Sequence, residues 1–113
     1  MAVAFTPDGK SIAAATWHEV SIYRIGQPKP VQVIELEGKG GQSLAFSPDG
    51  KHLAVGCRES IRLYDPSTGR LLHEWHGHRG MVTQLAFTPD GARLISGAAD
   101  ATLLVWDVAQ ALQ

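Results

Sequence analysis

The chain has one cysteine, few aromatics (7%), no surplus of either charge and no long apolar run, and each scarcity closes off a class of protein. A single cysteine, Cys57, cannot form an internal disulfide or a cysteine-based metal knuckle, which fits a reducing compartment; the residue is expected to pack as a small buried apolar side chain. The apolar stretches fall well below the ~20 residues of a membrane span, and Met1 to Phe5 lacks the basic start and apolar core of a secretory signal. Ten Lys plus Arg stand against eleven Asp plus Glu, with no cluster of either sign. An electrostatic grip on nucleic acid or on an anionic membrane is therefore not expected. The expectation is a soluble, cytoplasmic chain.

What is abundant is punctuation. Twelve Gly and six Pro divide 113 residues about every six positions, which leaves no room for a long helix and gives an all-β texture. The punctuation is periodic. Ala-Phe-Thr-Pro-Asp-Gly at 4–9 returns as Ala-Phe-Ser-Pro-Asp-Gly at 45–50 and as Ala-Phe-Thr-Pro-Asp-Gly at 86–91, so Phe5, Phe46 and Phe87 are spaced 41 residues apart. Tandem copies of one supersecondary unit account for this spacing.

Within each copy, Pro pre-sets φ at the first turn corner, Asp suits the second, and Gly supplies the positive φ that lets the chain re-enter a strand. A hairpin is predicted at each Pro-Asp-Gly. The following strands, Ser11 to Thr16, His52 to Cys57 and Arg93 to Ala98, mix small and apolar residues, as suits strands buried on both faces. Short polar links at Trp17-His18-Glu19, Arg58-Glu59 and Ala99-Asp100-Ala101 lead into alternating strands at Val20 to Ile25, Ser60 to Tyr64 and Thr102 to Trp106. A fourth strand is predicted at Val31 to Leu36 and at Arg70 to Trp75, but the third copy ends before it could form one. The run Gly38-Lys39-Gly40-Gly41 reads as an inter-repeat turn, since no helix follows to make it a phosphate cradle.

The third copy resembles the WD-repeat family. Gly77-His78, Val82 to Phe87, the turn at 88–91, Leu94-Ile95-Ser96-Gly97, Asp100 and Leu103 to Trp106-Asp107 follow the family pattern across one repeat, and the copies extend the likeness over nearly the whole chain. The resemblance implies a β-propeller-type array of three four-stranded antiparallel blades, at about 1–37, 38–77 and 78–113, the last lacking its outer strand. It also implies a structural hydrogen-bond network of His78, Ser96, Asp100 and Trp106. Trp106 would donate to Ser96, Ser96 onward to His78, and the imidazole to Asp100. The second copy has Val55 and Tyr64 at the Ser and Trp positions and the first has Ala14 and Tyr23, so those blades are expected to rest on packing and ladder hydrogen bonds.

Three constellations could carry chemistry, and each has a plainer reading. Ser96, His78 and Asp100 match a hydrolase triad in composition, but Ser96 sits within a strand rather than on an exposed turn, which favours a structural role. On an extended strand His76 and His78 share a face while His73 points the other way, so the three do not converge as metal ligands do. Glu35 and Glu37 share a face of an outer strand, where paired acids are surface charges. Neither a catalytic residue, a metal nor a cofactor is expected.

By the same resemblance, the links between second and third strands and those between repeats gather on one face. That face would carry Trp17, His18, Arg58, Glu59 and Arg79, with Trp and Arg the types most enriched in interface hot spots. A non-catalytic protein-interaction scaffold is the function implied; a ligand-binding or enzymatic site on the same face is the alternative. Three blades in a row leave two apolar flanks uncovered, to be closed by further blades of a longer propeller or by other copies of the chain.

Overall fold

The computed structural model describes residues 1–38 and 40–113; Lys39, within the glycine-rich run, lies outside the described residues. Four strands open the chain, β1 (Ala2–Phe5), β2 (Ser11–Ala15), β3 (Glu19–Arg24) and β4 (Gln32–Glu35), paired antiparallel in the order β1-β2-β3-β4. Six follow: β5 (Ser43–Phe46), β6 (Leu53–Gly56), β7 (Arg58–Tyr64), β8 (Leu71–Phe87), β9 (Arg93–Ala98) and β10 (Leu103–Asp107). A single helical turn, α1 (Val108–Ala111), comes last.

The three Pro-Asp-Gly turns share one geometry. Gly9, Gly50 and Gly91 stand at φ of 72°, 72° and 73°, the left-handed region that glycine enters without a Cβ penalty. Asp8, Asp49 and Asp90 each accept hydrogen bonds from the hydroxyl two residues before, on Thr6, Ser47 or Thr88, and from the backbone N–H two residues after. This Thr/Ser-Pro-Asp clamp fixes each hairpin through contacts local to the turn.

One feature departs from three separate sheets. Strands β5 to β10 form a continuous six-stranded sheet in the order β10-β9-β8-β7-β6-β5, because β8 serves two blades. Its first part pairs with β7, from Tyr64↔Leu71 to Ser60↔His76, and its second with β9, from Val82↔Ala98 to Phe87↔Leu94. The repeat junction at 77–78 thus lies inside a strand. Arg58 and Glu59, expected as a link, begin β7, and Arg58 bridges to Met81 across a bulge. Backbone pairing between Arg58 and Met81, with the Val82 N–H donating to Cys57 O at 3.1 Å, holds this stretch extended.

The core divides into two seams. The first packs Ala13, Val20, Ile22, Ile34 and Leu36 against Leu53, Val55, Cys57 and Tyr64. The second packs Ala54, Ile61 and Leu63 against Val82, Leu94 and Val108, with Trp75, Phe87 and Trp106 at its margin. Strand β6 supplies both seams and is buried at every residue, as its small apolar sequence predicts. The outer blades each have one face uncovered: Val3 and Phe5 are 59% and 60% exposed on the first, Leu103 and Val105 are 68% and 58% exposed on the last. Beyond β10 no further strand pairs among the described residues; the chain turns into α1, whose Val108 plugs the second seam.

Candidate functional site

The third blade holds a line of hydrogen bonds running from its core to its loop end. Trp106 Nε1 donates to Ser96 Oγ at 2.8 Å, and Ser96 Oγ lies 2.6 Å from His78 Nε2. His78 Nδ1 lies 2.8 Å from Thr102 Oγ1, whose hydroxyl is bonded in turn to Asp100 Oδ1. The protons can be placed from the far end. Ionised Asp100 only accepts, so Thr102 donates to it and accepts from His78 Nδ1–H; Nε2 then accepts from Ser96. Every hydroxyl in the line both gives and takes one hydrogen bond.

The direct His78 to Asp100 bond implied by the family pattern is not made, since that separation is 3.9 Å. Thr102 stands between them. Asp100 also accepts from the backbone N–H of Arg79 at 3.0 Å, which ties the junction in β8 to the turn between β9 and β10. The Thr102 hydroxyl, followed by the Arg79 N–H, pulls the Asp100 pKa down to about 2. The signal for Thr102 lay in the Asp-x-Thr spacing, the same local clamp that recurs at Asp65 and Ser67.

The second blade is not held by packing alone. Arg62, almost buried, donates from Nε to Glu74 Oε2 at 3.0 Å and from Nη1 to Tyr64 Oη at 3.2 Å. Burial works against the Arg62 charge, but the bonds to Tyr64 and Glu74 outweigh it and raise its pKa. In Glu74 burial is likewise outweighed, by Arg62, and its pKa is lowered. A charged residue amid the apolar strand Ser60 to Tyr64 was the visible signal of this cluster; its partner depends on strand register.

Above these anchors lies the loop face. Trp17 is 49% exposed, and its carbonyl accepts the Gly40 N–H at 3.1 Å. A Cβ on Gly40 would fall 2.8 Å from the indole ring and 3.3 Å from the Met81 methyl, so the absent side chain lets the ring lie on the backbone beside the first seam. His18, Arg58, Glu59 and Arg79 are all exposed. Glu59 sits at φ 63° in the tight turn closed by Cys57 N–H to Ser60 O at 2.9 Å. The Gly40 on which Trp17 rests also lies against the Met81 methyl, and Met81 pairs with the Arg58 backbone; the Arg79 N–H is fixed to Asp100 on the next blade.

The other constellations are each either engaged by neighbouring groups or open to solvent. Ser96 is fully buried, with the Trp106 N–H on its oxygen, which closes it to a substrate. His73 packs edge-on against Trp75 at 4.8 Å between ring centroids, His76 lies 3.7 Å from Glu74, and His78 is held within the network. Glu35 and Glu37 are both exposed. No helix among the described residues is long and apolar enough to cross a membrane.

Comparison with known proteins agrees with this architecture. Residues 3–81 match the family model "Anaphase-promoting complex subunit 4 WD40 domain", and residues 69–107 match "WD domain, G-beta repeat". The crystal structure of the RRP9 WD40 repeats is similar over 96% of this chain and 35% of its own, at 28% identity and a TM-score of 0.90. The chain therefore spans about a third of that structure. No curated protein matches. With one family model covering most of its length, the chain belongs to the WD40-repeat family, and its fold is of the β-propeller type.

Proposed function

We propose that this chain is a non-catalytic protein-interaction scaffold that engages a protein partner through the loop face around Trp17, in the reducing interior of the cell. WD40 repeats as a class act in protein-protein interaction, which supports a scaffold. The particular surface rests on one observation: a tryptophan held against Gly40 on a rigid sheet end, with half its area facing solvent. A large aromatic fixed in place loses little entropy on binding, and the exposed guanidiniums of Arg58 and Arg79 can form bidentate bonds to carboxylates. The net charge of -1 suits recognition by shape and a few anchors rather than by a broad field.

Affinity capture with the wild-type chain, set beside Trp17→Ala and Arg58→Ala matched for circular dichroism, tests the assignment. Proteins retained by wild type and lost by both variants support it; an identical captured set for all three contradicts it.

A further inference from the structure

Each Pro-Asp-Gly turn contains a reactive bond. Where glycine follows a carboxyl side chain, no Cβ shields the glycine nitrogen from attack on its neighbour's Cγ. Asp8-Gly9, Asp49-Gly50 and Asp90-Gly91 are the only Asp-Gly pairs in the chain, which has no asparagine to enter the same reaction from an amide. We propose that these three bonds are conditional modification sites, closed in the folded hairpin and converted to isoaspartyl linkages only in a hairpin that has opened.

The chemistry balances with water alone. The glycine nitrogen bonds to aspartate Cγ, its proton and the carboxyl OH leave as water, and a succinimide closes. Water then adds at either carbonyl of the ring. Addition at the original main-chain carbonyl routes the backbone through Cβ and Cγ, inserts one methylene into it and frees the α-carboxylate.

The fold opposes each requirement of that reaction. The nitrogen must turn toward Cγ, but the Gly9, Gly50 and Gly91 N–H groups donate to the carbonyls of Thr6, Ser47 and Thr88 at 2.9, 2.9 and 2.8 Å. The carboxyl must swing toward that nitrogen. Instead, Oδ1 of Asp8, Asp49 and Asp90 is held by the hydroxyl two residues back at 2.6, 2.5 and 2.7 Å, and by the N–H two residues on at 2.9, 2.9 and 3.0 Å. The departing oxygen must also carry a proton. Bonds from Thr6 to Asp8, from Ser47 to Asp49 and from the Ala92 N–H to Asp90 lower all three carboxyl pKa values and keep the groups ionised near neutral pH. The turn at Asp49 lies in the middle blade and makes the same bonds as the other two, so protection belongs to the hairpin and not to the ends of the chain.

Opening a hairpin releases all three restraints together. A modified turn cannot close again in register, because the inserted methylene displaces the acceptor on which the clamp depends. Isoaspartate is then a lasting mark of a blade that has come apart.

Trypsin places the three bonds in separate peptides, 1–10, 40–51 and 80–93, each with one aspartate, so each reports alone. The folded chain and the chain unfolded in guanidinium chloride are incubated side by side for several weeks at mildly acid pH. Isoaspartyl peptides keep their mass, separate by chromatography and resist an endoproteinase that cuts before aspartate. All three bonds should convert about tenfold or more slowly in the folded chain, since the clamp must open first. In Thr6→Val, folded by circular dichroism, conversion should rise at Asp8 and stay low at Asp49 and Asp90; Thr88→Val puts the same question to Asp90 if the first variant does not fold. Equal conversion in the folded and unfolded chain, or a folded Thr6→Val whose Asp8 converts no faster than wild type, overturns the proposal.

Discussion

Trp106 Nε1 and Ser96 Oγ, 2.8 Å apart, join the last strand of the third blade to the strand before it. Neither earlier blade can make this bond, because Val55 and Tyr64, and Ala14 and Tyr23, hold the positions of Ser96 and Trp106. The Trp106 ring also packs against Trp75, 5.7 Å between ring centroids, so the network and packing together hold the indole in place.

Truncation of that indole is therefore the most damaging single change in the blade. Trp106→Ala should lower stability by roughly 3 to 5 kcal/mol, combining lost packing with a broken buried network. Trp106→Phe keeps an aromatic ring, though a smaller one, and removes the N–H from Ser96; it should cost about 1 to 3 kcal/mol. Denaturant unfolding reads both; an unmoved midpoint for Trp106→Ala would refute the structural role of the network.

Acid should loosen the same end of the molecule in a defined window. The Asp100 pKa is depressed to about 2 in the folded chain by Thr102 and the Arg79 N–H, from an ordinary value of 3.8. A depressed carboxylate contributes stability that is complete above the unfolded pKa and is lost as pH falls through the folded one. The loss should run from about pH 4 down to 2 and be joined by Asp8, Asp49 and Asp90, lowered by their turn bonds to Thr6, Ser47 and the Ala92 N–H. In Thr102→Val the Asp100 carboxyl should titrate closer to its ordinary value by NMR; an unchanged titration contradicts the Thr102 link.

The second blade offers a contrast between breaking a pair and replacing it. Glu74→Gln leaves the Arg62 guanidinium nearly buried without its anion, and should destabilise by about 1 to 3 kcal/mol, less than for a fully buried pair because Glu74 is partly solvated. The double variant Arg62→Met with Glu74→Leu should recover most of that loss. A double variant as unstable as Glu74→Gln would show that the pair itself, rather than the orphaned charge, was being measured.

Close approach across the second seam is sharpest at Gly56. A Cβ there would fall 2.0 Å from Ser43 Oγ and 2.7 Å from the Val82 carbonyl, the two atoms that bond each other at 2.8 Å. Gly56→Ala should cost about 1 to 3 kcal/mol or more by overpacking. Melting within a degree of wild type would mean the seam yields more readily than its geometry implies.

Much of this architecture was legible from residues alone, because its signals are local. Pro-Asp-Gly constrains three successive φ angles whatever surrounds it, and small apolar runs such as Leu53 to Gly56 belong to covered strands. The repeat junction gave no such local signal: Arg58 and Glu59 read as a polar link, yet pairing of Arg58 with Met81 places them in β7 and holds Gly77 to Met81 extended from far along the chain. The Arg62 to Glu74 contact was equally hidden, since it follows from the register of β7 on β8. At the loop face the residue types were readable, but the resting of Trp17 on Gly40 required coordinates.

As a proposed binding anchor, Trp17 should serve partner contact more than folding. Measured on one captured partner by calorimetry, with denaturant unfolding in parallel, Trp17→Ala should weaken binding by about 2 kcal/mol or more, as a hot-spot truncation does, while stability changes by about 1 kcal/mol or less. The reverse ranking, intact binding with a large loss of stability, would make Trp17 a packing residue and contradict the account.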